Sequence, residues 1–318
     1  MILKRRSFPA LSSLPAPPVA NIGWPWTREP PTIPYIMPDG KPWPKISIVT
    51  PSFNQSQFIE EAMRSVLLQG YPNLEYIIID GGSDDGTIDI ISKYEQNLAY
   101  WVSEADKGQA NAINKGFDWA TGEIFAWINS DDYYYPGVLE VIAKAFVKDP
   151  KVALIHGYEH YVDEESNVTH EVHPVFTHSR VATLYLGHPV LQLTCFWRSE
   201  AYRAIGGLDE TLRCHLDYDF LLRLSYWYPS IYVPLCVGAF RRYAEQKSKR
   251  REECRTEYNM VVDRFLAQLE ISAWKRSVLS YWLRVLFLWR YKEVSEPVSI
   301  LRKRLHQAVT LMKSRLSE

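Results

Sequence analysis

The sequence predicts an α/β fold, a Rossmann-like, mostly parallel sheet flanked by helices with a C-terminal helical extension, and three observations predict it. From Lys45 onward short apolar runs alternate with stretches of helical period, the rhythm of βαβ units. Four successive runs end in Asp, Asn, Gly and Ser, as parallel strands do where they face a ligand cleft. From residue 249 onward Arg and Lys are interleaved with Trp, Tyr and Leu, which reads as helix.

Residues 1–44 hold much of the chain's proline. Proline fixes φ and removes a donor, so this extension is expected to be extended and poor in regular structure. Its Trp24, Trp26, Tyr35 and Trp43 are expected to pack onto the following domain rather than bind a partner. Residues 45–248 form that domain, with strands expected at 46–50, 76–80, 100–103, 124–128 and 153–158. Between them, 58–68 puts Phe58, Ala62 and Val66 on one helical face with Ile59 and Met63 beside it, and 110–120 ends at Thr121-Gly122, a helix stop. After about residue 161 the pattern loosens into α+β: strand-like at 194–197, helical at 217–227, strand-like again at 231–233 and 237–240. Residues 249–318 form the helical extension.

An apolar fraction of 47% and a charged fraction of 23% describe an ordinary globular chain, neither disordered nor built of several membrane spans. A formal net charge of -1 gives no field to attract nucleic acid. Cys195, Cys214, Cys236 and Cys254 are far apart with no CxxC pair, against a zinc site or a disulfide-stapled secreted module and in keeping with a reducing cytoplasm. Basic residues at the start give way to prolines instead of a continuous apolar stretch, so no export signal is expected. The richest apolar run, 278–289, is broken by Arg284, and no membrane span is expected.

The chemistry should sit just beyond the strand ends. There stand Thr50-Pro51-Ser52-Phe53-Asn54, then Asp80-Gly81-Gly82-Ser83-Asp84-Asp85, then Glu104-Ala105-Asp106-Lys107-Gly108, then Asn129-Ser130-Asp131-Asp132. Turn chemistry explains any one of these well and four together poorly. Neither GxGxxG nor GxxxxGK[ST] is present to wrap a phosphate in backbone amides. Asp131 and Asp132 are instead hard oxygen donors suited to Mg2+ or Mn2+, and such a cation can bridge a diphosphate to an acidic site. Farther on, Asp217 and Asp219 open a helix; two residues apart they point to different faces, and Asp217 is chosen for the cleft. The dipole near a helix N-terminus favours an ionised carboxylate, which can accept a hydroxyl proton.

Taken in order, KISIVTPSFNQ, EYIIIDGGSDDGT, SEADKGQANAINKGFDWATGEIFAWINSDD and FWRSEAYRAIGGLDETLRCHLDYDFLLRL resemble the family 2 glycosyltransferases, inverting enzymes with the GT-A nucleotide-diphospho-sugar fold. The match covers residues 45–243. The resemblance implies that Thr50, Pro51, Ser52 and Asn54 line a nucleotide pocket with Gly81, that Asp80 bonds the base, and that Asp84 is a further nucleotide contact. It makes the stretch Asp106, Lys107, Gly108 through Asn114 a second wall of the donor pocket. It puts Asp131 near ribose and metal, makes Asp132 the direct metal ligand, makes Asp217 the catalytic base, and sets Arg241 at the leaving diphosphate. His188 and Gln192 fall on the acceptor side. The implied partners are a nucleotide-diphosphate sugar, UDP-linked with GDP and dTDP open, and a saccharide or lipid-linked acceptor; the implied cofactor is Mn2+ or Mg2+.

The sequence departs from the family pattern at Asn111, Tyr243 and Leu216, where an acidic residue, a histidine and an acidic residue are frequent. His170 and His173 have no third ligand in sight and read as structural or exposed. Two rival readings are a sugar nucleotidyltransferase, disfavoured because TPSFN has neither a Gly-rich loop nor a basic residue, and a catalytically silent scaffold at the membrane surface. The second rests on Trp274, Lys275, Arg276, Tyr281, Trp282, Arg284, Trp289 and Arg290, whose side chains suit a bilayer interface, a homo-oligomer face or packing on the domain equally. A cytoplasmic location, with peripheral association at the inner face of the membrane left open, completes the expectation.

Overall fold

β-Branched residues make up much of the first apolar run, and it forms β1 (Ile46–Ser52), buried along its whole length. In the computed structural model it lies between β2 (Leu74–Asp80) and β4 (Ile124–Trp127), with β3 (Tyr100–Ser103) outside β2, all four parallel. The structure describes residues 9–174, 191–244, 246, 251–269 and 278. The chain divides into two compact units, Met1–Ser272 and Ala273–Glu318. His188 and the aromatic and basic residues of 274–290 lie outside the described residues. Among the described residues no helix is long and apolar enough to cross a membrane.

Strands buried on both faces must carry apolar residues at odd and even positions alike. Ile46, Ile48, Tyr76, Ile78, Ile124 and Ala126 enter one core, while Val49, Ile77, Ile79, Phe125 and Trp127 enter another. The helices α1 (Ile59–Leu67), α2 (Thr87–Lys93) and α3 (Gln109–Trp119) are the crossovers. α3 lies so close to the sheet that a Cβ on Gly116 would stand 2.4 Å from Val49 Cγ1. Because β2 and β3 lie on one side of β1 and β4 on the other, strand order reverses at β1, the place where open α/β sheets bind ligands.

Beyond β4 the sheet becomes mixed. It runs through β5 (Tyr133–Tyr134), α4 (Val138–Lys148), β6 (Leu154–Val162), β7 (Val168–Val172), β8 (Phe196–Arg198), α5 (Ser199–Ile205), α6 (Leu216–Trp227), β9 (Ser230–Arg241) and α7 (Arg251–Gln268). β8 pairs antiparallel with β4 and β6, β9 runs parallel to β6, and β5 pairs antiparallel with β9. The two short runs expected at 231–233 and 237–240 are one strand. Pro234 is tolerated inside it because the register with β6 shifts there, between His156 and Tyr158, so no ladder donor is demanded of it.

The N-terminal arm packs more deeply than its proline content suggests. Leu14, Ile33, Met37 and Trp43 are part of the first core, and Trp24 Nε1 donates to the Tyr134 carbonyl at 2.7 Å. The arm covers the outer face of α1, which is why Arg64 is buried together with its apolar face. Arg64 donates to the carbonyls of Pro25 (3.2 Å), Pro15 (2.9 Å) and Trp26 (3.0 Å) and to Tyr94 Oη (3.0 Å), and its guanidinium lies 5.4 Å from the Trp26 ring centroid. One cation thus satisfies three carbonyls of a segment that has little secondary structure to do so. Arg64→Met keeps the apolar stem but orphans those carbonyls, and is expected to cost about 3 kcal/mol in urea denaturation, with faster proteolysis before residue 44. A loss below about 0.5 kcal/mol, the level of an ordinary surface change, would mean that the arm is held otherwise.

Candidate functional site

The strand ends open into one cleft of about 930 Å3. Pro51, Ser52, Phe53 and Gln55 line it from the end of β1 and the loop beyond, Gly81 from the loop after β2, Ala105 through Gln109 after β3, and Asn129, Ser130 and Asp131 after β4. Gln192, the segment before α6 with Arg213 and Cys214, then Leu216 and Asp217, and finally Phe240, Tyr243 and Gln246 complete it.

The loops hold one another. Asn54, in left-handed conformation at φ 51°, exchanges two hydrogen bonds with Asp84: Nδ2 donates to Oδ1, and the Asp84 amide to Asn54 Oδ1, both at 3.0 Å. The next pair of residues binds likewise, the Ser56 amide donating to Asp85 at 2.9 Å. Burial pushes the Asp85 carboxyl up, but bonds from Thr87 and Ser56 outweigh it and hold it at about 2. Asp80 is fully buried, and it accepts the amides of Gly82 (3.1 Å) and Ser83 (2.9 Å) and the hydroxyls of Ser83 and Ser103, both at 2.6 Å. Expected at the base, it shapes the loop that carries Gly81 and does not line the cleft. Thr50 is also buried, bonded to Tyr76 Oη at 2.9 Å, and does not line the cleft.

On the β3 side, Asp106 Oδ1 accepts the Gly108 amide at 2.6 Å. Gly108 has φ 112°, and a Cβ there would lie 2.1 Å from Arg213 Nη1. The glycine lets Arg213 cross to the Lys107 carbonyl, to which it donates. Arg213 and Lys107 are both exposed on the cleft wall. Arg213 belongs to no strand-end run that marks it, and Phe53 stands in one without polar chemistry of its own, yet both reach the cleft, Phe53 at 60% exposure. Asn114, expected in this wall, is turned away: it accepts from Tyr202 Oη at 2.7 Å and from the Leu208 amide at 3.0 Å, and donates to the Leu208 carbonyl at 2.9 Å. It joins α3 to the loop after α5.

The two aspartates after β4, both expected at the metal, differ in exposure to the cleft. Asp132, 1% exposed, accepts the Arg241 amide at 3.0 Å and Asn129 Nδ2 at 3.3 Å and does not line the cleft. Asp131 does, accepting Tyr243 Oη at 3.0 Å. Burial pushes both carboxyls up, and the Asp131 charge pushes Asp132 further. Two adjoining buried carboxylates with raised pKa values form a place where a divalent cation relieves repulsion. The residues fit such an ion with Asp131 as its carboxylate. Among the described residues no cluster of three His, Cys, Asp or Glu forms a complete cage, and Mg2+ does not require one, since it takes one or two carboxylates and fills its shell with phosphate oxygens and water. Gln192, beside Asn129, donates to the Trp127 carbonyl at 2.9 Å.

Arg241, expected at a leaving diphosphate, is instead buried at 1% exposure. Its Nη2 donates to Glu61 Oε2 at 2.5 Å, its Nε to the Asp131 carbonyl at 3.0 Å, and its Nη1 to the carbonyls of Asp163 (3.0 Å) and Glu164 (2.8 Å) and to Ser166 Oγ (3.0 Å). A guanidinium so committed supports the floor of the cleft and has no reach into it. Asp217 and Asp219 part as helical geometry requires. Asp217 lies in the first turn of α6 and borders the cleft; Asp219 is buried in ion pairs with Arg223 (2.6 Å) and Arg264 (2.9 Å). The cysteine spacing gives no disulfide framework, yet Cys214 at the cleft is joined to Cys254 of α7, with Cα atoms 5.2 Å apart.

Residues 47–206, half of the chain, match the family described as glycosyl transferase family 2. An uncharacterized glycosyltransferase of Rickettsia typhi is 32% identical over 194 residues, 57% of this chain and 60% of that protein. A chondroitin synthase of Escherichia coli is 25% identical over 242 residues, 74% of this chain and 35% of that one. The chain therefore spans at most 60% of the length of either relative. Among solved structures, S. aureus TarS 1-349 in complex with UDP-GlcNAc superposes with a TM-score of 0.59 at 17% identity, over 79% of this chain and 73% of that one. A mannosyltransferase from Pyrobaculum calidifontis in complex with GDP-Man and Mn2+ superposes with a TM-score of 0.52 at 19% identity, over 88% and 84%. The likeness to these two establishes the GT-A fold.

Removing the Arg241 guanidinium leaves Glu61 charged and buried, so Arg241→Met is expected to cost about 3–5 kcal/mol of stability, read from urea denaturation. A variant of unchanged stability would show that the ion pair does not support the floor.

Proposed function

The chain belongs to glycosyl transferase family 2, and from that footing we propose that it moves a sugar from a UDP-linked donor to a hydroxyl of a saccharide or lipid-linked acceptor. The transfer is a single inverting displacement, assisted by Mn2+ or Mg2+, in the assembly of a surface glycan. One observation carries the reading: Asp131 and Asp217 border the same cleft, one from a strand end and the other from the first turn of a helix. The UDP-GlcNAc of the TarS complex, the Mn2+ of the mannosyltransferase complex and the activity named for the chondroitin synthase support the choice of donor, ion and product.

The two carboxylates divide the work. Asp217 accepts the acceptor's hydroxyl proton as that oxygen bonds to the anomeric carbon. The bond from this carbon to the diphosphate oxygen breaks, and its electron pair leaves with the nucleoside diphosphate. Attack opposite the leaving group inverts the centre. Asp131, with Asn129 beside it, would hold the cation, which neutralises charge gathering on the diphosphate. Lys107 and Arg213 add fixed positive charge to the wall, and Phe53 offers its ring face to the base.

Thermal melting with UDP, GDP, CDP and dTDP, with and without Mn2+ or Mg2+, tests the donor side, since selective binding raises stability by mass action. A metal-dependent shift with UDP is expected, and no shift with any nucleotide would sink the reading. Asp131→Asn should remove the metal-dependent part of that shift in a protein of normal stability, whereas Asp132→Asn should lower stability itself by about 1–3 kcal/mol by disturbing a buried acceptor. Asp217→Asn should reduce transfer by roughly 10²–10⁴ and leave the nucleotide shift intact. Loss of the shift together with transfer would make Asp217 a binding residue instead.

A further inference from the structure

Within α6 one first-turn amide has a partner in the helix itself: Asp217 Oδ1 accepts the Tyr218 amide at 2.8 Å. His215 stands at the N-cap position and makes no capping bond, although the first amides of any helix lack partners within it. The amides leading into the helix find their acceptor on α7. Glu257 Oε1 accepts the Arg213 amide at 2.5 Å, and Glu257 Oε2 accepts those of Cys214 at 2.5 Å and His215 at 2.6 Å. Charge-assisted bonds of this kind are about twice as strong as neutral ones, and a carboxylate at this end also meets the favourable end of the helix dipole.

The contact is in register along a helix face. Glu257 and Tyr258 are followed at helical spacing by Val261, Val262 and Phe265, which are buried in the second core. Tyr258 stacks on Tyr218 with centroids 5.0 Å apart, and the Cys214–Cys254 bond ties the same two segments. The three amides bound by Glu257 belong to the residues directly ahead of Asp217, and one of them is that of Arg213, the guanidinium on the cleft wall.

Resting on the proposed function, we infer that Glu257 is a positioning residue. Its carboxylate fixes the backbone of residues 213–215 and thereby sets the reach of Arg213 into the cleft and the place of Asp217 at the reacting hydroxyl. Glu257 itself touches neither donor nor acceptor. Both oxygens are needed, one for Arg213 and the other for the next two amides, so a carboxamide cannot replace it: its NH2 would face a backbone N–H.

The test compares the full chain with Glu257→Gln, Glu257→Asp and Glu257→Ala by hydrogen–deuterium exchange at residues 213–217, by UDP-dependent thermal shift, and by release of UDP from UDP-sugars with acceptor. Exchange at the three amides should quicken on the order of tenfold in the Gln and Ala variants as bonds are lost. Turnover should fall roughly 10- to 100-fold, the cost of misplacing a reacting group, while donor KM and the UDP shift change by a clearly smaller factor, since only the Arg213 side of the donor wall moves and the strand-end contacts stay. Glu257→Asp, which keeps both oxygens, should recover part of the turnover. Unchanged exchange in Glu257→Gln overturns the clamp. Quickened exchange with unchanged turnover overturns the positioning role, as does a fall in turnover matched by the fall in folded protein. Should the unaltered chain release UDP from no donor, the functional reading itself fails; the exchange measurement still decides the clamp.

Discussion

The buried guanidinium of Arg241 joins four parts of the chain at one point: Glu61 of α1, the turn between β6 and β7, the loop after β4, and its own strand β9. A cation held away from water is tolerable only if its charge is paired and its N–H groups are used, and here a carboxylate and backbone oxygens provide both. The rings of Phe58 and Tyr133, with centroids 4.7 and 5.8 Å from the guanidinium carbon, close the remaining space. The consequence reaches the cleft, because the same residue's amide binds Asp132. With Asp132 anchored, the neighbouring Asp131 is left to face the cavity. The carboxylate that borders the cleft thus owes its place to a strand anchored by a buried ion pair outside the cleft.

The N-terminal arm solves a related problem. α1 has to bury its inner face against the sheet, and its sequence offers a polar outer face that would suit solvent. The arm covers that face instead, and the cation beneath it is used: Arg64 donates to the arm's carbonyls. Proline-rich backbone has carbonyls in excess of donors, so a buried arginine is a suitable partner for it. Periodicity identifies α1 as a helix and cannot reveal that both of its faces are inside.

Much of the fold is legible in sequence, for a physical reason. Parallel strands buried on both faces must be runs of Ile, Val and aromatic residues, and the turns after them must be small and polar, so β1 to β4 announce themselves. The same legibility misleads at the site. Asp80, Asn114 and Arg241 sit in motif positions, and a motif residue that builds a loop looks no different from one that binds a ligand; only the hydrogen bonds separate Asp80, saturated by Ser83 and Ser103, from Asp131, which borders the cavity. Arg213 and Phe53 had the opposite fate, since a single arginine or phenylalanine in a loop carries no spacing to read. The pairing of Cys214 with Cys254 depends on α7 docking at the start of α6, a contact across 40 residues that no local pattern encodes.

The cleft is consequently anchored in two unequal ways. Its donor side is built from strand ends whose register is fixed by the sheet, at the point where strand order reverses. Its other side, with Arg213 and Asp217, hangs on the beginning of one helix. The proposed transfer needs the attacking hydroxyl and its base held to within a fraction of an ångström, and the helix itself does not provide that for the segment leading into it. The provision comes from α7, which composition alone presents as an appendage. Its face joins the second core through Val261, Val262 and Phe265, so the hydrophobic contact that docks the helix and the carboxylate that binds the amides of residues 213–215 are parts of one surface. Helix docking and site geometry are therefore coupled: whatever loosens the first must blur the second.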